Sequence, residues 1–182
     1  MKKYALNFFF FFMPSLLTYS QTSPVTERVR GWSSDIDSLL VFMKRDHYVY
    51  SKQPLSRKLI TKSDNLKSNI KDYSDERMLI EMERLMHYMH DGHSYILPFF
   101  ARRVNSYYLP IQFYLFKDGV FIIDASEQYR ALIGNQVTRI NGIIVEKLVK
   151  DMKGYIHQDN AVTVKWFAPT MLRLRGVYES YG

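Results

Sequence analysis

The hydrophobic and polar positions divide the chain into three stretches with different periods. Tyr4 to Leu17 is a near-continuous apolar run with five consecutive phenylalanines, Phe8–Phe12, interrupted by Pro14. From Ile36 to Met89 the apolar residues recur at helical spacing. Ile36, Leu39, Leu40, Met43, His47 and Tyr50 share one face of a first helix, for which Ser33 and Ser34 are N-cap candidates. Leu55, Leu59, Leu66 and Ile70 form the stripe of a second helix that restarts near Pro54. Met78, Met82, Leu85, Met86 and Met89 form that of a third. Ser74 caps this helix, Asp75 and Glu76 suit its positive end, and Asp91-Gly92 closes it. Residues 21–31 are polar, contain Pro24, and read as an extended linker.

From Tyr95 onward the pattern is that of strands. Tyr95–Phe100 and Tyr107–Phe116 are rich in aromatic and β-branched residues, and Lys117-Asp118-Gly119 turns the chain into a return strand, Val120–Ile123. Ser126 to Leu132 reads as a short helix closed by Gly134, and Val137–Ile140 as a strand. Asn141-Gly142 is a tight turn before a helix from Val145 to Met152. Pro169 is expected to open a final helix. The fold class is therefore α+β: a three-helix domain over residues 32–93, then a small β-rich module over 94–156 and a connecting segment over 157–182.

The first apolar run changes the reading of location. A basic head, Met1-Lys2-Lys3, precedes it, and Thr18-Tyr19-Ser20 follows with small residues suited to cleavage. That order predicts a secretory signal peptide over residues 1–20, with an uncleaved anchor as the alternative. The run is short for a transmembrane helix. The expected location is periplasmic or extracellular. With no cysteine in the chain, an exported product would rest on its core alone. At 47% hydrophobic and 24% charged residues, the composition is that of globular material and not of a disordered chain. The net charge of +7 falls by two without Lys2 and Lys3 and is spread out, which argues against a nucleic-acid partner.

Few motifs carry chemistry. His87, His90 and His93, with Asp91 among them, offer zinc-type ligands, but Gly92 interrupts the helix before His93. The preferred reading is of structural or surface histidines, so no metal or cofactor is expected. Asp91-Gly92-His93-Ser94 puts an acid, an imidazole and a hydroxyl side by side, but neighbours in sequence rarely aim at one another as a catalytic triad does. It reads as a helix-to-strand corner whose side chains satisfy freed backbone groups. Glu81 and Glu83 read as surface partners of Arg77, Arg84 and His87. There is no G-x-S-x-G elbow, Walker loop or cysteine nucleophile.

Three segments in this order resemble the N-terminal part of the tail-specific (C-terminal-processing) serine peptidases. They are HYMHDGHSYI (His87–Ile96), YLPIQFYLFKDGVFIID (Tyr108–Asp124) and LIGNQVTRINGIIVEKLV (Leu132–Val149), within a likeness over roughly residues 32–175. The resemblance marks Asp91, Gly92, His93, Gly134, Asn141 and Gly142 as motif residues. It implies that 94–156 is a PDZ-like module that positions polypeptide substrates, with the catalytic serine and lysine in a further domain that this chain lacks. No serine or lysine here matches those two positions. The chain is then expected to be the non-catalytic N-terminal part of an exported serine endopeptidase. Without its partner domain, Met171, Leu172, Leu174 and Val177 would be exposed and favour self-association. The alternative is a stand-alone peptide- or ligand-binding module, using an aromatic surface around Tyr107, Tyr108, Phe113 and Tyr114.

Overall fold

A computed structural model describes residues 23–97, 104, 106–157 and 160–181. The leader expected over residues 1–20, and residues 98–100 of the strand expected from Tyr95, lie outside them; residues 95–97 form no strand.

Helix α1 spans Pro24–Asp46, with Ser23 accepting a hydrogen bond from the Thr26 N–H and Pro24 in the first turn. The segment expected to be an extended linker is thus helical from Pro24. A serine followed by proline is itself a helix start, because proline forgoes an N–H that has no partner there. Helix α2 spans Arg57–Ser68 behind a Ser56 cap, and α3 spans Asp75–Met86 behind the expected Ser74 cap. A single 3-10 turn, His87–Met89, extends α3. The residue that ends it in the left-handed conformation is His90 (φ 50°), not Gly92.

Strands β1 (Ile111–Phe116) and β2 (Gly119–Ala125) form the expected hairpin around Lys117-Asp118. Their antiparallel register runs from Phe116 opposite Gly119 to Ile111 opposite Ala125, with a shift between Gln112 and Phe113. A 3-10 segment, Glu127–Leu132, leads to β3 (Gln136–Val137), which pairs with β2. The strand expected over Val137–Ile140 is divided at Thr138, because β4 (Arg139–Ile140) pairs instead with β5 (Ile143–Ile144). Asn141 and Gly142 both have positive φ, 49° and 76°, as a two-residue hairpin turn of the primed type requires. Helix α4 covers Val145–Asp151, α5 Ala161–Met171 and α6 Arg175–Tyr178. Pro169 lies inside the last turn of α5 and does not open a helix; Asn160 caps that helix.

Three clusters of apolar side chains hold these elements together. The first fills the helical head with residues such as Ile36, Met43, Leu59, Met78 and Met86. The second joins Ile80 of α3 to Met152, Ile156, Phe167, Met171, Leu174 and Val177. The third packs the inner sheet face, Phe113, Val120 and Ile122, on Val145, Leu148, Leu172 and Tyr178. Met171, Leu172, Leu174 and Val177 are therefore core residues, all at most 2% exposed. This corrects the expected apolar surface and removes the basis for self-association through it. The fold is α+β, helices with a small antiparallel sheet.

Helix α3 belongs to the first two clusters at once. Glu76, Ile80, Glu83 and His87 follow one another at steps of four, three and four residues, a second stripe beside the methionine one. Glu76 accepts hydrogen bonds from the Tyr107 N–H and from Arg175 Nε. Gly176 of α6 lies so close that a Cβ there would stand 2.7 Å from the Glu76 carbonyl oxygen.

Candidate functional site

An open groove of about 880 Å³ lies among the described residues. Its walls are the turn of the β1–β2 hairpin (residues 115–120), α4 with the residues after it (145–153), and the start of α5 (160–165); His87 and His90 line it from the helical head. Val120, Val145 and Val164 make a buried apolar floor. Lys117, Lys150, Lys153 and Lys165 stand on an exposed rim, with Asp118 and Glu146 as the carboxylates there. Asn160 Oδ1 accepts from the N–H groups of Val162 and Thr163, so the positive end of α5 also faces the groove. A floor that takes apolar side chains beneath a polar rim is the chemistry of a binding cleft.

The Asp-Gly-His-Ser corner lies in the helical head and is a structural joint. Ser94 Oγ donates to Asp91 Oδ2 at 2.5 Å, and the His93 N–H donates to Asp91 Oδ1 at 3.0 Å. His47 Nε2 lies 3.3 Å from Asp91 Oδ2. Its Nδ1 faces the N–H groups of Val49 and Tyr50, so the imidazole proton belongs on Nε2, facing the carboxylate. The Ser94 hydrogen bond, with those from His93 and His47, holds the Asp91 carboxyl below its ordinary range despite partial burial. The hydroxyl is bonded to a carboxylate held below its ordinary range, a poor proton acceptor, and not to an imidazole. The His93 side chain is 91% exposed, and the expected backbone-satisfying role falls to Asp91 alone. His47 ties α1 to this corner; periodicity predicts only its helix face, and its pairing with Asp91 has no signature in the sequence.

The zinc-type histidines do not converge. His87 Nδ1 lies 3.0 Å from the Ile156 carbonyl, His90 lines the groove and His93 faces solvent. Among the described residues no group of three histidine or carboxylate side chains is placed to hold a metal ion. Gly134, Asn141 and Gly142 shape the β-rich part. The Gly134 N–H donates to the Ile122 carbonyl at 2.8 Å, and Ile122 N–H to the Asn135 carbonyl at 3.1 Å, which carries the β2 pairing into β3. Of the aromatic surface read from sequence, Tyr107, Tyr108 and Tyr114 are exposed, while Phe113 is buried in the sheet core.

Glu83 is the residue sequence reasoning misplaced most. Glu81 does pair with Arg84, at 3.1 Å and half-buried, but Glu83 is fully buried. Its Oε1 lies 2.7 Å from His157 Nδ1, and its Oε2 accepts the Ile96 N–H at 2.6 Å. Burial pushes the carboxyl above its ordinary range, against hydrogen bonds from His157 and Ile96 that pull it down. The His157 ring stacks on Tyr95 with centroids 4.7 Å apart and meets Phe167 edge-on at 5.1 Å.

No protein-family model, curated protein or solved structure matches this chain.

Proposed function

We propose that this chain is a non-catalytic, polypeptide-holding part of an exported serine peptidase of the tail-specific type. The observation that carries the reading is the open groove between the β1–β2 hairpin, α4 and α5, with valines on its floor and charged side chains on its rim. An extended polypeptide offers such a groove apolar side chains to bury and carbonyl and N–H groups for the rim. The sheet order β1-β2-β3 leaves β1 with a strand on one side only, among the described residues. The corner serine, Ser94, donates its hydrogen bond to Asp91, which suits a scaffold and not a nucleophile. The PDZ-like character of the β-rich part, a location outside the cytoplasm and a catalytic serine and lysine supplied by a further domain all belong to this proposal.

One observation favours a second reading, a binding module that acts by itself. Met171, Leu172, Leu174 and Val177 are buried, so the last helices pack against α3 and the sheet of this same chain.

Both readings expect binding without cleavage. Purified chain mixed with a fluorescent unstructured polypeptide, such as reduced and alkylated casein, should raise its anisotropy in a saturable way and release no fragments over hours. Fragment release abolished by Ser94→Ala would overturn the non-catalytic reading. Lack of saturable binding would overturn the polypeptide-holding one.

A further inference from the structure

The groove's rim is not neutral, and its charge has a pattern. Lys117 comes from the hairpin turn, Lys150 from α4 and Lys165 from α5, so three separate elements bring a cation to one groove with an apolar floor. Nearby, Lys147 is paired with Asp151 at 2.6 Å. No ion pair among the described residues engages Lys117, Lys150 or Lys165. Among the described lining residues the carboxylates are Asp118 and Glu146, Asp151 beside Lys150 is already held by Lys147, and the start of α5 adds its partial positive charge.

An extended chain directs successive side chains to opposite sides, with a repeat of roughly 7 Å. Laid along this groove, one set of side chains points at Val120, Val145 and Val164, and the other points at the mouth. Lysine stems are long and flexible, so their ammonium groups can close over that second set. We propose that the groove selects extended polypeptide segments in which apolar residues alternate with carboxylates, a specificity that rests on the polypeptide-holding reading above. Charge complementarity supplies the preference and the valine floor supplies the register. Basic segments are rejected by the same lysines.

The test uses two labelled peptides of equal length, one alternating leucine with glutamate and one alternating leucine with glutamine, titrated with the whole chain by fluorescence anisotropy. Exposed ion pairs are individually weak, so three acting together should make the acidic peptide bind about tenfold more tightly. Raising salt should erode that preference. In the variant carrying Lys150→Glu and Lys165→Glu, both at exposed positions, the preference should be lost or reversed while the unfolding midpoint stays close to that of the parent. Equal affinity for the two peptides overturns the selectivity and leaves the polypeptide-holding reading standing. Binding of neither overturns both. Displacement of the acidic peptide by dodecanoate at lower concentration than by unlabelled peptide overturns the proposal in favour of a fatty-acid ligand.

Discussion

Replacing Glu83 by alanine should destabilise the protein by about 2–5 kcal/mol, the combined consequence of a cavity in the core and of buried polar partners left without their acceptor. Glu83 and His157 are both at most 2% exposed, and Glu83 also holds the Ile96 N–H. The substitution therefore leaves an imidazole and two backbone donors, the Ile96 and His157 N–H groups, without their acceptor. Such a loss is a large fraction of a domain's total stability. A urea unfolding midpoint, with the slope checked for constancy, measures it; a change under about 1 kcal/mol would mean that the pair contributes little. The pH dependence has a definite sign. Burial raises the Glu83 carboxyl above its ordinary value of 4.5, so the folded state binds this proton more tightly than the unfolded chain does. The stability it contributes is full below pH 4.5 and is lost as pH rises through the folded value. The stability advantage of the parent over Glu83→Gln, which cannot titrate, should accordingly shrink from pH 4.5 to neutrality; an advantage that grows would contradict the raised value.

Gly176→Ala should destabilise by about 1–3 kcal/mol, although alanine is the better helix former. The added methyl would lie 2.7 Å from the Glu76 carbonyl oxygen and 3.1 Å from the Ile80 side chain. Backbone cannot swing aside as a flexible side chain does, so α6 must lift from α3 and loosen Val177 in the second core. Gly31→Ala is the matched control, since a Cβ there meets nothing within 4 Å in the interior of α1. It should stabilise by roughly 0.5–1 kcal/mol through helix propensity. Melting temperatures of the two variants should move in opposite directions, and a shared direction would show that crowding at Gly176 is relieved at no cost.

Much of the architecture could be read from local chemistry. The Ser74 cap, the methionine stripe of α3, the Lys117-Asp118-Gly119 hairpin and the Asn141-Gly142 turn all depend on residues within a few positions of one another, and all are present. What escaped depends on distant partners. The break at Thr138 arises because β2 and β5 compete for neighbouring pairs of residues. The burial of Met171 and Val177 needs Ile80, about ninety residues earlier in the chain. Glu83 looked like a surface charge because His157 carries no mark of pairing with it. One signal of this burial lies in the sequence: Glu76, Ile80, Glu83 and His87 keep helical spacing on a second face of α3. Within the candidate site, the apolar and basic positions of α4 were visible, but their meeting with the hairpin turn and α5 is a product of tertiary packing.

The two-sided burial of α3 also bears on where this protein can be divided. A cut after residue 93 would follow the change from helical to strand-like sequence and keep all of α1–α3. It would leave Ile80 facing water, and Glu76 and Glu83 without Arg175 and His157. The remainder would lose the helix on which α5 and α6 rest. The change of pattern in the sequence thus runs through packed contacts, and either piece alone would expose side chains that the other covers.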